Sequence, residues 1–262
     1  MILKEMFDGI QNKKILEYRA YIMDTDAFED DEIYGRCLDR VSGYRRSKVE
    51  RLRRREDRKS SLAAGLLLSY ALKEYAGIDE YSLDYTCNKS GKPFADTGDI
   101  DVQFSISHTE GCVAAVVGCD VCGIDVERVR KIPDSIVNRI YYEGDRHIIE
   151  TGGHPEMYGT CVWTRREAYS KMTGTGILMN DEAQQLVMDD EYMAGLQIEL
   201  ESYGVRKNAP KDPLVMCGIT KPYDVGDASL YDYIVSVCVN QTGIYPLRVK
   251  MIDSSDVVCY HV

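Results

Sequence analysis

The segment from residue 102 to residue 129 constrains the fold of this 262-residue chain more than any other. It holds three short β-prone runs, VQFSIS, CVAAVVG and CGIDVERV. Only HTEG separates the first two, so they predict a β-hairpin. Helix-forming runs lie on both sides, one ending at Gly77 and one running from Thr164 to a stop at Gly174. The pattern predicts an α+β fold in which small sheets pack against long helices.

The remaining elements divide into two groups. Residues 15–23 predict a strand, residues 24–57 are charged and mostly helix-forming, and residues 88–94 predict a loop. Residues 133–157 predict helix and loop, and the alternating runs LQIEL and YDYIVSVCV predict half-buried strands. Each group holds strands and a long helix, with a boundary between Gly118 and Gly123. We therefore expect an N-terminal half, residues 1–120, and a C-terminal half, residues 121–262.

Charge and hydropathy disfavour several functions. The formal net charge is −11, whereas a general nucleic-acid binder needs a surplus of Lys and Arg. The basic run from Arg51 to Arg55 is flanked by Glu50, Glu56 and Asp57, so nucleic acid is not expected as a partner. No apolar run reaches the roughly 20 residues of a membrane span, and the start of the chain is too charged for a secretory signal. We expect a cytoplasmic protein that does not enter membranes.

The nine cysteines show no framework spacing, which is typical of free thiols in a reducing compartment. One C-x-x-C sequence joins Cys119 to Cys122. It lacks a second pair for zinc and lies in a glycine-flanked turn, so we interpret both residues as turn cysteines.

Two pairs of residues suggest a cation and its anionic ligand. Asp125 and Glu127 are two apart on a predicted strand, so both carboxylates lie on one face, either solvated or bridged by a cation such as Mg²⁺. Glu167 and Lys171 are one helical turn apart. That pair is either a surface ion pair or a third metal carboxylate beside an ammonium for anionic oxygens.

Basic residues elsewhere in the chain also have two interpretations, a solvated surface or part of a binding site. Arg45 and Lys48 share a helix face, which is either solvated or anion-binding, and Lys92 lies on a loop restricted by its neighbours. Ser107 and His108 are adjacent on a predicted strand and point to opposite faces, and no nucleophile elbow surrounds them, so a Ser/His hydrolase is disfavoured. Together with the carboxylates, these cations suggest a Mg²⁺-bound polyphosphate ligand.

Four motifs in this order, GKPF, FSISHT, GIDVE and WTRREAYSKMTGTG, resemble those of the Sfp-type 4′-phosphopantetheinyl transferases. The resemblance covers roughly residues 15–240. Thr109 stands where the family commonly has Ser, and Arg166 where it has Lys. The resemblance implies two pseudo-symmetric halves, each a small sheet packed with helices, with the active site in the cleft between them.

The implied activity is Mg²⁺-dependent transfer of the 4′-phosphopantetheine group of coenzyme A to a serine of an apo acyl or peptidyl carrier protein, as in a holo-acyl-carrier-protein synthase. The resemblance assigns Mg²⁺ to Asp125, Glu127 and Glu167, and the chemical step to Glu167 and Lys171. It assigns coenzyme A contacts to Arg45, Lys48, Ser61, Lys92, Pro93, Ser107, His108, Asp125, Glu167 and Lys171. We expect a monomer, since the two halves form an internal pseudo-dimer. The alternative is a non-catalytic adaptor of the same fold that binds carrier proteins.

Overall fold

The computed structural model describes residues 17–89, 91–98, 101–151, 153–177, 198–201, 214–216, 232–239 and 247–261. The strands in these residues are β1 (Tyr18–Asp24), β2 (Tyr85–Cys87), β3 (Pro93–Ala95), β4 (Gln103–Thr109), β5 (Cys112–Gly118), β6 (Cys122–Arg128), β7 (Ile198–Glu201), β8 (Leu214–Met216), β9 (Tyr233–Val239) and β10 (Leu247–Ile252). The α-helices are α1 (Asp31–Leu38), α2 (Gly43–Glu50), α3 (Arg55–Ala76), α4 (Asp134–Ile140), α5 (Glu143–Thr151), α6 (Pro155–Thr173) and α7 (Ser254–His261).

The larger sheet has five strands in the order β4-β5-β1-β10-β7. β4 and β5 pair antiparallel from Gln103 opposite Gly118 to Thr109 opposite Cys112, which confirms the predicted hairpin. Its turn contains Gly111, whose φ of 83° suits glycine far better than other residues. β1 pairs antiparallel with β5 and parallel with β10, and β10 pairs parallel with β7.

A second sheet has the order β6-β9-β8, and β2 and β3 form a separate two-stranded ribbon. The predicted strands in GIDVER, YDYIVSVCV and LQIEL are confirmed as β6, β9 and β7. The prediction that β9 is half-buried is wrong, because one face meets the first sheet and the other meets α6, so that six of its seven residues are buried. The prediction of a loop through GKPF is wrong in part. Pro93–Ala95 is a short strand because its backbone pairs with Tyr85–Cys87, a partner that the local sequence does not identify.

The sheets and long helices stack in layers. Along β5, Val113 and its alternate neighbours face α3, whereas Cys112, Ala114 and Val116 face the second sheet. The outer face of the second sheet packs on α6, through contacts such as Cys161 with Ile234. The resulting order is α3, five-stranded sheet, three-stranded sheet, α6, and the strands β1, β5 and β9 are buried on both faces.

Both long helices end as predicted, at Gly77 and Gly174 with φ of 71° and 70°. The start of α6 was wrongly predicted at Thr164, since the helix begins at Pro155. Proline is well tolerated in the first turn of a helix because the amide hydrogen it lacks has no partner there. The glycines and proline of residues 152–159 hide this start from a reading based on local propensity.

The end of the chain lies beside the N-terminal elements. β10 is the parallel neighbour of β1, and α7 packs on α3 through Val257 and Val258. The Ser254 hydroxyl donates to Asp24 and accepts a hydrogen bond of 3.1 Å from the Ala27 amide. Residues 247–261 therefore belong with the first sheet in space, while the predicted division at residue 120 and the pseudo-symmetry of the halves stay predictions.

No helix in the part of the chain that the structure describes has the length and apolar character needed to cross a membrane.

Candidate functional site

The site forms where β4, β6 and α6 meet. Gly123 allows the backbone of α6 to lie close to β6. A Cβ atom at Gly123 would lie 2.0 Å from the Ala168 carbonyl oxygen and 2.5 Å from the Met172 nitrogen, so the backbone of α6 rests directly on the strand. Residues 123, 125 and 127 share one face of β6, and that face looks towards α6. The glycine of the GIDVE motif thus brings the carboxylates of β6 to the helix that carries Glu167 and Lys171.

Asp125, Ser107 and Lys171 form a closed triangle. The Ser107 hydroxyl donates to Asp125 Oδ1 at 2.7 Å, and Lys171 Nζ lies 2.6 Å from the same oxygen and 2.8 Å from Ser107 Oγ. Asp125 is 4% exposed, and its Oδ2 has no hydrogen-bond partner among the described residues. A buried carboxylate oxygen without a partner is costly, and a bound cation or water would satisfy it. Three elements thus converge on one carboxylate.

Glu127 and Glu167 are half-buried near Asp125. Burial raises the pKa of Glu127 and the charge of Asp125 adds to it, while Arg130 and the Trp163 indole partly oppose the shift. Trp163 Nε1 donates to Glu127 Oε1 at 3.3 Å. Burial also raises the pKa of Glu167. The negative charges of Asp125 and Glu127 raise this pKa further, and the Lys171 ammonium partly opposes the shift. The three carboxylates therefore lie within electrostatic reach of one another.

The donor set fits Mg²⁺ in chemistry, because hard cations take carboxylate oxygens and Asp125 Oδ2 is buried with no hydrogen-bond partner among the described residues. Within that same part of the chain, no three His, Cys, Asp or Glu side chains are placed to hold a metal ion as they stand. The binding of Mg²⁺ by Asp125, Glu127 and Glu167 stays a prediction.

A cluster of cations borders the carboxylates. Arg45 is 2% exposed in α2, its Nε has no hydrogen-bond partner in the described residues, and neither Arg45 nor Lys48 forms an ion pair with them. Burial and the charge of Arg45 lower the pKa of Lys48. Partial enclosure lowers the pKa of His108 to about 4, together with the charges of Lys171, Lys48 and Arg45. The imidazole of His108 is exposed at the surface beside these cations. Positive charge without an ion-pair partner among the described residues suits an anion.

Two neighbouring cavities open beside these charges. One of about 330 Å³ is lined by residues of α2, β3, β4 and α6, among them Lys48, Pro93, Glu167 and Lys171. The other, of about 540 Å³, shares Lys48 with the first and is bordered by Tyr44, Arg51 and Cys87. Ser61 is buried in α3 and lines neither cavity.

Lys92 lines the cavity of about 330 Å³, and its ammonium also has partners within the protein. Its Nζ donates to the Met172 carbonyl at 2.9 Å and the Cys122 carbonyl at 3.4 Å. Asn88 donates to the Gly174 carbonyl at 3.0 Å and accepts from the Lys92 amide at 2.9 Å. The loop between β2 and β3 therefore caps the C-terminal end of α6. The role of Lys92 in cofactor binding stays a prediction, and Asn88 was missed because its partner lies far away in sequence.

Cys119 and Cys122 are both buried, and the prediction of two turn cysteines is wrong for Cys122, which is the first residue of β6 because its backbone pairs with Val239 of β9. Burial raises the pKa of the Cys122 thiol to about 12, partly opposed by Lys92. A thiol of this kind is a poor nucleophile at neutral pH.

The chain is similar to known proteins over the same segments that build the site. Residues 121–202 match a family model described as the 4′-phosphopantetheinyl transferase superfamily, and residues 31–120 match one described as 4′-phosphopantetheinyl transferase, N-terminal. The 4′-phosphopantetheinyl transferase gsp of Aneurinibacillus migulanus is 25% identical over 56% of this chain and 62% of its own length. A 4′-phosphopantetheinyl transferase of Bacillus subtilis is 22% identical over 62% of this chain and 73% of its own. The pptA enzyme of Paxillus involutus is 28% identical over 60% and 68%.

Proposed function

Because the chain belongs to the 4′-phosphopantetheinyl transferase family, we propose that it transfers the 4′-phosphopantetheine group of coenzyme A to a serine of an apo acyl or peptidyl carrier protein. The similarity to Sfp of Bacillus subtilis supports this general activity over the narrower one of a holo-acyl-carrier-protein synthase. The observation that carries the proposal is the meeting of Ser107, Asp125 and Lys171, contributed by β4, β6 and α6, beside a cavity lined by further cations.

In this reaction the carrier serine oxygen forms a bond to the β-phosphorus of coenzyme A, and the bond from that phosphorus to the oxygen of 3′,5′-ADP breaks. Asp125, Glu127 and Glu167 would hold Mg²⁺, which when bound supplies positive charge for the pyrophosphate oxygens. Glu167 lines the cavity and accepts the serine proton, directly or through a water. The negative charge that develops on the leaving oxygen departs with 3′,5′-ADP.

The remaining residues bind and orient. Lys171 is held between Asp125 and Ser107, so its ammonium is fixed before the substrate arrives. Preorganised positive charge of this kind costs no rearrangement when negative charge develops on the transferring group. Arg45 and Lys48 form the neighbouring positive region, where the 3′-phosphate of coenzyme A would bind, and the neutral imidazole of His108 lies beside them as a hydrogen-bonding group. Ser107 is thus a positioning group for Asp125 and Lys171 and not a hydrolytic nucleophile.

The alternative is a carrier-binding adaptor without catalysis. An adaptor needs no buried carboxylate beside an ammonium, and this chain retains that pair at 2.6 Å. We further propose that the protein acts in the cytoplasm as a monomer, as expected if its two halves form an internal pseudo-dimer.

The deciding experiment is mass spectrometry of apo acyl and peptidyl carrier proteins incubated with coenzyme A, Mg²⁺ and this protein. We expect the carrier to gain the mass of one phosphopantetheine group, and Asp125→Asn to abolish the gain. Asp134→Asn is the matched control, because that carboxylate is 78% exposed and distant from the cleft. Carriers that bind but remain apo would favour the adaptor.

A further inference from the structure

We infer that Gly65 is a positioning residue for phosphate recognition, because its missing side chain creates the space in which Arg45 lies. Gly65 is in the middle of α3, and Arg45 is in α2, which packs across it. A Cβ atom at Gly65 would lie 2.5 Å from Arg45 Nε, 2.6 Å from its Cδ and 2.8 Å from its Cγ. Contacts this short involve the middle of the Arg45 side chain, so any larger residue would force the whole side chain to move.

The glycine has no other evident reason to be there. Glycine inside a helix lowers helix stability relative to alanine. The neighbouring positions of α3, Ala63, Ala64 and Leu66, are fully buried and carry side chains. Gly65 therefore departs from a well-packed helix face only where Arg45 crosses it.

The position of Arg45 matters because its charge acts on Lys48 and His108. It contributes to the lowered pKa of both groups. Arg45 is 2% exposed and forms no ion pair with the described residues. Contact with Gly65 therefore sets where this charge lies relative to Lys48 and His108, the groups that would meet a phosphate beside it.

This inference rests on the proposed function, and it predicts a specificity defect without loss of the fold. Gly65→Ala should displace Arg45 and weaken recognition of the 3′-phosphate of coenzyme A. Gly35→Ala is the matched control, because Gly35 is also an interior helical glycine but a Cβ there would meet nothing within 4 Å.

The test is calorimetric binding of adenosine 3′,5′-bisphosphate and of 5′-AMP, two probes that differ only in the 3′-phosphate. For the wild type and Gly35→Ala we expect tighter binding of the bisphosphate. The ratio of the two affinities should fall about tenfold in Gly65→Ala and in Arg45→Ala, the scale of one lost charge-assisted hydrogen bond. In Gly65→Ala/Arg45→Ala the ratio should fall no further, because the side chain through which Gly65 acts is already gone.

A Gly65→Ala protein with the wild-type ratio, while Arg45→Ala has lost it, would overturn the inference. A further loss in the double variant would also overturn it, since Gly65 would then act on something other than Arg45. If Arg45→Ala itself keeps the ratio, both Arg45 and Gly65 lose their assigned roles. None of these results depends on carrier modification, so a failed proposed function would appear separately, as carriers that stay apo.

Discussion

Replacing Lys171 by methionine removes the ammonium that lies 2.6 Å from Asp125 Oδ1 and keeps most of the side-chain volume. Asp125 is 4% exposed, so in this variant a buried carboxylate retains the Ser107 hydroxyl as its one side-chain partner among the described residues. The Coulomb energy of two unit charges at this distance is about 6 kcal/mol at an effective dielectric constant near 20, and desolvation offsets much of it. Breaking a fully buried pair costs about 3–5 kcal/mol. The Lys171 side chain is 29% exposed, and solvent weakens the ion pair. We therefore expect the free energy of unfolding to fall by about 2 kcal/mol in Lys171→Met.

The assay is thermal unfolding without added metal or coenzyme A, where about 2 kcal/mol corresponds to a fall of roughly 4–8 °C for a protein of this size. Lys171→Met/Asp125→Asn should recover most of the loss, because the amide leaves no unpaired charge in the core. The control Lys131→Met removes an ammonium that is 73% exposed and 3.4 Å from Asp134. It should shift the melting temperature by less than about 2 °C, as expected for a surface pair.

Saturating Mg²⁺ should raise the melting temperature of Lys171→Met, since a cation on Asp125 restores a positive partner and stabilises the folded state by mass action. Phosphopantetheine transfer should stay low even so, because the fixed ammonium is absent. Wild-type stability of Lys171→Met, together with a double variant no more stable than Asp125→Asn alone, would refute electrostatic coupling between Lys171 and Asp125.

Three further outcomes are expected. Transfer should require a divalent cation, and Asp125→Ala or Glu127→Ala should lose most of it with the fold intact; full activity in excess chelator would exclude the metal assignment. Glu167→Gln should lower single-turnover transfer by about 10²–10⁴-fold, as for loss of a general base, with only modestly weaker coenzyme A binding; a near wild-type rate would place the base elsewhere. The pKa of His108 is lowered to about 4 in the folded protein. Below about pH 6.5 the unfolded chain therefore binds a proton at this residue that the folded chain does not bind. The free energy of unfolding consequently falls as the pH is lowered from about 6.5 towards 4. His108→Gln should therefore lose less melting temperature between pH 7 and pH 5 than the wild type, and an equal loss would contradict the lowered pKa.

The sequence predicted those features that depend on neighbouring residues alone. Short β-prone runs identified β4, β5 and β6, and the alternation of side chains along a strand placed Asp125 and Glu127 on one face of β6. Glycines with left-handed backbone conformation marked the ends of α3 and α6. The start of α6 at Pro155 escaped the same reading, because packing against the second sheet stabilises a helical segment whose own propensity is low.

The sequence by itself determined that Lys171 lies one helical turn from Glu167, because spacing along a helix is a local property. Only the tertiary structure decided that the carboxylate paired with Lys171 is Asp125, that the Lys92 ammonium binds backbone carbonyls at the end of α6, and that Arg45 crosses Gly65. The same holds for β10, which becomes the parallel neighbour of β1 from the far end of the chain. The physical reason is that local periodicity fixes which face a side chain occupies, whereas the packing of sheets and helices fixes what that face meets.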